Sequence, residues 1–181
     1  MELQYSAKNN SSDWGGWGID GNFSSTWLAP RDAQGDPLLD KVIGWSLSTV
    51  SWSLVNEFET GDPRLDATVY DAEANLTKYT RAYQNTGYFP KKYMGIGAYV
   101  NAIEQSHNWS KNFILIRYAD VLLMAAELFL DDNPTKALGY LNEVRERALG
   151  PGSGLLAIDL DAIYHERRVE LGSEGLRNGI Y

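Results

Sequence analysis

Cysteine is absent from the 181 residues, which excludes disulfides and thiolate chemistry and leaves the compartment open. Histidine is nearly absent too. His107 and His165, with no cysteine beside them, are too few for an isolated metal ligand set, and no cofactor is expected. His165-Glu166 opens like the zinc-protease HExxH, but Val169 stands where the second histidine is needed. GIGAYV (Gly95 to Val100) has two glycines of a dinucleotide loop and lacks the third. No GxSxG elbow and no P-loop occurs. There is no Lys/Arg cluster, and 24 acidic against 16 basic side chains give a net charge of −8, a poor match for nucleic acid or an anionic membrane. No apolar run reaches the ~20 residues of a membrane-crossing helix without a charge interrupting it. Residues 1–10 are polar and do not read as a signal peptide. A cytosolic protein, or one whose export segment has been removed, fits that start.

What is present is a chain of ordinary hydrophobic content, 44 %, long enough for a single domain over 1–181 with a real core. Six Trp and eleven Tyr are its unusual feature. The expected fold class is mainly α: a helical hairpin plus a third helix, packed with an irregular Gly/aromatic-rich half containing short strands. The irregular half is 1–100 and the helical half 101–181. In the first, SSDWGGWGIDGNFSSTWLAP (Ser11 to Pro30) reads as an irregular loop. SWSLVNEFE (Ser51 to Glu59) suits a short helix with Trp52, Val55 and Phe58 on one side. Gly61 and Pro63 make a turn, LDATVY (Leu65 to Tyr70) alternates as a strand does, and Tyr79 to Tyr99 holds extended pieces.

The helical half begins with NFILIRYADVLLMAAELFL (Asn112 to Leu130), read as a first helix. Asn133-Pro134 is an N-cap with Pro in the first turn of a second helix, whose stripe is Ala137, Leu138, Leu141, Val144 and Ala148; Gly150-Pro151-Gly152 ends it. Asp159 caps a third helix with the stripe Leu160, Ile163, Tyr164, Arg167 and Leu171. The short link between the first two helices favours a hairpin. Arg117, Asp120 and Glu127 fall within an arc of roughly 80° at ~100° per residue, an ionic stripe on an apolar cylinder. A buried Arg needs a carboxylate, so Arg145 or Arg167 is expected to reach Asp120 or Glu127 across the helix interface. On this reading the charges are structural.

The same residues carry a resemblance. IRYADVLLMAAEL (Ile116 to Leu128), ALGYLNEVRERA (Ala137 to Ala148) and HERRVELGSEGLR (His165 to Arg177) resemble the C-terminal region of the SusD/RagB family, and LVNEFETGDPRLDATV (Leu54 to Val69) is similar to its Asp-Pro-Arg turn. The resemblance implies an outer-membrane, cell-surface lipoprotein of a Gram-negative bacterium that is not an enzyme. Such a protein binds oligosaccharide or polysaccharide, or in some members peptides, for a SusC-like TonB-dependent transporter. It also implies tetratricopeptide-like surroundings for the helices and a structural role for the motif acids and arginines. Family members are much longer and carry an N-terminal lipidated Cys, and after Glu-Gly-x-Arg they continue Asp-Leu-x-Arg where this chain reads NGIY. The chain is therefore expected to be a fragment or reduced form.

The ligand surface is expected on the glycine-rich side. Trp14, Trp17 and Trp27 are interleaved with Asp13, Asp20 and Asn22; rings pack on the C–H faces of sugars while Asp and Asn bond hydroxyls. The alternative is that these aromatics pin the loop onto the helices. Two other functions stay open: a helical scaffold for protein partners, and a glycoside hydrolase fragment using Glu166 and Glu170, one helical turn apart, although such glutamates beside Arg167 and Arg168 are usually ion-pair partners.

Overall fold

The structure is a computed structural model and describes residues 1–6, 21–99, 106 and 108–175. In chain order its elements are β1 (Glu2–Leu3), α1 (Ser24–Leu28), β2 (Arg31–Gln34), α2 (Trp52–Val55), α3 (Pro63–Thr68), β3 (Val69–Asp71), α4 (Ala72–Asn75), β4 (Lys78–Thr80), β5 (Tyr88–Pro90), β6 (Phe113–Ile114), α5 (Tyr118–Phe129), α6 (Pro134–Leu149) and α7 (Leu160–Glu170). Two compact units emerge: Met1, 52–67 and 116–181 in one, 2–51 and 68–115 in the other. Residues 52–67 group with the C-terminal helices rather than with the loop-rich residues beside them in sequence.

The helical unit is built as its caps dictate. Asn133 Oδ1 accepts from Lys136 N at 3.1 Å and Pro134 opens α6; Gly150, at φ +98°, closes it. Asp159 Oδ1 accepts from Ala162 N at 2.7 Å at the start of α7. The link between Phe129 and Pro134 is short, so α6 turns back along α5, and α7 packs on both. Leu122, Leu123, Ala126, Leu141, Val144 and Ile163 form the core. Each Leu or Ile buried there contributes about 1.5–3 kcal/mol.

Four expectations differ from this structure. The first helix starts at Tyr118, not Asn112, because Phe113 and Ile114 pair antiparallel with Leu3 and Glu2. Leu65–Thr68 is helical, and only Val69–Asp71 is strand. Asp62 and Pro63 act there as a helix start, with Asp62 Oδ1 accepting from Arg64 N at 2.8 Å. Ser24–Leu28, read as loop, forms α1. On α7 the buried line is Ile163, Glu166, Val169 and Glu170, while Leu160 is exposed, since the glutamates find cations inside the unit.

Among the described residues the second unit holds three two-stranded sheets: β1 with β6, β2 with β4 and β3 with β5, all antiparallel. Its core is Ala29, Leu39, Tyr70, Ala72, Phe89 and Met94. Tyr70 donates its hydroxyl to Asp36 Oδ2 at 2.7 Å; burial first, and Asp36 second, push its pKa above the ordinary tyrosine value. Among the described residues no helix is long and apolar enough to cross a membrane.

Candidate functional site

Trp27 lies on α1 and is 41 % exposed. What holds its ring is aromatic. Phe23 meets Trp27 edge-on at 4.9 Å and 73°, and meets Trp45 edge-on at 5.4 Å and 90°. Such pairs add about 0.5–1.5 kcal/mol each beyond burial, enough to fix a ring that solvent would otherwise leave mobile. The backbone beneath is fixed as well. Trp45 N donates to Thr26 O at 2.9 Å, Ser46 N to Ala29 O at 2.9 Å and Leu47 N to Trp27 O at 2.8 Å. These bonds satisfy carbonyls that a five-residue helix leaves open at its end. The approach needs Gly44, where a Cβ would collide with the carbonyl oxygens of Pro30 and Ala29.

Asn22 is placed differently from its expected role on sugar hydroxyls. It is 3 % exposed; Nδ2 donates to Lys111 O at 3.0 Å, and Oδ1 accepts from Ser24 N at 3.0 Å and Ser24 Oγ at 2.6 Å. Its amide fixes the entry to α1 instead of meeting solvent. Asp13, Trp14, Trp17 and Asp20 lie outside the described residues. Behind α1, Trp109 is fully buried and donates Nε1–H to Thr26 Oγ1 at 2.7 Å. Lys111 places Nζ 3.3 Å from Met94 O and 3.4 Å from Lys91 O, with the Tyr99 ring centroid at 5.5 Å; burial pushes its pKa down to about 8.

The motif charges gather in the other unit. Arg64 binds Asp62 through Nε at 3.0 and 3.1 Å and Nη2 at 2.8 Å, and its Nη1 reaches Glu166 and, at 3.4 Å, Glu170. Arg117 donates to Glu170 Oε1 and Glu174 Oε2, both at 2.8 Å, and Arg147 donates to Glu170 Oε1 at 2.6 Å. Arg145 holds Glu59 at 2.7 Å and Glu166 at 3.4 Å. Burial works against the charge on Arg64, but Asp62 and Glu166 outweigh it and raise its pKa. Arg145 holds the Glu59 carboxyl below its ordinary value; Asp62 is held low too, Arg64 overcoming the opposing effect of burial.

Of the cross-helix pairs expected, Arg167–Asp120 forms, at 2.8 Å, while Arg145 turns to Glu59, Glu166 and Ser153 O. Glu127 has no ion pair among the described residues. Sequence reasoning missed Asp62 and Arg64 as network members, though the Asp-Pro-Arg motif was the available signal. It also missed Phe23 and Trp45 as the brace of Trp27. Glu166 and Glu170 each face arginines, Arg64 and Arg145 at Glu166 and Arg64, Arg117 and Arg147 at Glu170, the ion-pair arrangement usual for such glutamates.

The comparisons with known proteins agree with one another. The SusD family profile matches residues 3–178. SusD-like protein P2 of Formosa agariphila is 32 % identical over 78 % of this chain and 32 % of its own length. Among solved structures, a laminarin binding SusD-like protein is 33 % identical with a TM-score of 0.82, over 98 % of this chain and 40 % of its own. Surface glycan-binding protein A from Bacteroides fluxus is 29 % identical with a TM-score of 0.84, over 98 % of this chain and 38 % of its own. This chain thus spans about a third of the length of SusD-like protein P2. With a profile match over nearly every residue, the chain belongs to the SusD family.

Proposed function

We propose that the protein binds glycan at the bacterial outer-membrane surface, on a face built around Trp27, and passes it to a SusC-like TonB-dependent transporter. The observation that carries this reading is Trp27 itself: a half-exposed indole met edge-on by Phe23, which Trp45 meets in turn, on a hydrogen-bonded backbone. A ring so placed meets the C–H face of a sugar with little ordering cost on binding. The likeness to surface glycan-binding proteins supports it, and the laminarin binding relative makes laminarin the first probe. Asp13, Trp14 and Trp17, outside the described residues, join the proposal by residue type, with Asn22 as the residue that positions α1.

Binding without catalysis fits the arginine-matched glutamates of α7. The test is retardation of the protein in native gels containing laminarin and a panel of other neutral polysaccharides. Retardation by at least one, lost in the Trp14→Ala/Trp17→Ala/Trp27→Ala variant, is the expected result. Unchanged mobility of the variant in that polysaccharide would remove the assignment.

A second reading has its own observation. Val121, Met124 and Leu128 lie on one side of α5 and are exposed. That apolar line suits a protein surface, as in a helical scaffold with tetratricopeptide-like helices around the hairpin. Under that reading Leu128→Asp abolishes partner capture and leaves polysaccharide retardation intact.

A further inference from the structure

Tyr83 is 91 % exposed, yet the loop that carries it is braced on both flanks. Arg81 Nη2 and the Tyr79 hydroxyl both donate to Glu73 Oε1, at 2.8 and 2.6 Å, and Asn85 Nδ2 donates to the Tyr79 oxygen at 2.9 Å. On the far side Thr86 Oγ1 donates to Val50 O at 2.7 Å, Val50 N to Tyr88 O at 2.8 Å, and Thr49 Oγ1 to Gln84 O at 3.4 Å. Gln84 sits at φ +55°, a conformation an L residue adopts only with local support. A fully displayed aromatic on a loop with this much bracing calls for something to meet it.

The segment that braces the loop also holds Trp27. Leu47 N bonds the carbonyl of Trp27, and two residues on Thr49 bonds the carbonyl of Gln84. At ~3.3 Å per extended residue, about 7 Å of backbone joins the two anchorage points. Leu47 and Ser48, between them, are exposed. The strip itself, exposed Leu47 and Ser48 with half-buried Thr49, carries no charge, and it lies within the longest stretch of the sequence without a charged side chain, Val42 to Asn56. An uncharged strip with the hydroxyls of Ser48 and Thr49 and the apolar Leu47, anchored beside a ring at either end, on a chain of net charge −8, fits a neutral polymer and opposes an acidic one.

We propose that the glycan face runs from Trp27 along Leu47–Thr49 to Tyr83, so that Tyr83 forms a second sugar subsite engaged only by a neutral chain long enough to span both rings. This rests on the reading that Trp27 meets glycan, and it adds a length requirement which that reading does not contain.

The experiment is calorimetric titration of the 181-residue chain, and of its Trp27→Ala, Tyr83→Ala and Tyr83→Trp variants, with a disaccharide and a hexasaccharide cut from the polysaccharide that retards it most. Tyr83 is 91 % exposed, so its variants should fold, and thermal melting checks these and Trp27→Ala alike. Tyr83→Ala is expected to weaken the hexasaccharide about three- to tenfold, the value of one stacked ring, and leave the disaccharide unchanged. Tyr83→Trp keeps or improves the hexasaccharide affinity, and Trp27→Ala weakens both ligands. Hexasaccharide affinity unchanged in Tyr83→Ala, with Trp27→Ala impaired, overturns the second subsite alone. An equal loss for both ligands in Tyr83→Ala overturns the length requirement. Retardation by no neutral polysaccharide overturns the parent reading and the subsite together.

Discussion

Replacing Arg64 by Met tests whether the ionic network is structural. The loss falls unevenly on its partners. Glu170 keeps Arg117 at 2.8 Å and Arg147 at 2.6 Å, and Asp62 keeps the backbone N–H of residue 64 at 2.8 Å. Glu166, only 1 % exposed, keeps nothing closer than Arg145 at 3.4 Å. Stranding one buried carboxylate in this way costs about 3–5 kcal/mol, a large share of the ~5–15 kcal/mol that holds a domain together. If the deficit resides in Glu166, removing that carboxylate as well should recover part of it. Arg64→Met/Glu166→Met should therefore be less destabilised than the sum of the single variants, by about 1–3 kcal/mol, the coupling typical of residues in one network. Urea denaturation of the four proteins at neutral pH measures all the terms. A cost under about 1 kcal/mol for Arg64→Met, or strict additivity in the cycle, would refute the reasoning.

Three further outcomes are expected. A Cβ at Gly95 would come 2.6 Å from the Trp109 ring, so Gly95→Ala should cost about 1–3 kcal/mol and shift tryptophan fluorescence. Lys111 titrates near 8 when folded and at its ordinary 10.5 when unfolded, so between those values the unfolded chain binds more protons and stability rises with pH. Lys111→Met should then melt above wild type at pH 7, by about 1–2 kcal/mol, with the gap shrinking toward pH 10.5. Glu59 and Asp62 are held low, so their stabilisation is complete above the ordinary carboxylate range and lost as pH falls below about 4; Asp62→Asn should flatten that acid limb in a melting series.

Which parts of this were legible depended on how local the causes are. Helices α6 and α7 could be read closely because their caps, Asn133-Pro134 and Asp159, act within one turn of chain. The start of α5 could not, since Phe113 and Ile114 are drawn into a strand by Glu2 and Leu3, over a hundred residues away. Alternation misled at Leu65–Thr68, where Asp62 and Pro63 start a helix that a period-two pattern conceals. The Arg167–Asp120 pair was visible because both residues lay on the helices of the helical half, whereas Arg145 chose Glu59, at the end of a segment assigned to the irregular half. At the candidate site, residue type selected both Trp27 and Asn22, but only three dimensions separate a displayed ring from an amide turned inward.

Arg64 and Glu166 are 102 positions apart, which carries a consequence for biosynthesis. At ~5–20 residues per second, the ribosome makes the cation about 5–20 seconds before it makes this counter-ion. During that interval Arg64 has Asp62 beside it but not Glu166, and the cluster closes only when α7 emerges. Nascent chains cut short of Glu166 should accordingly be targets for chaperones and proteases, however native their earlier portion.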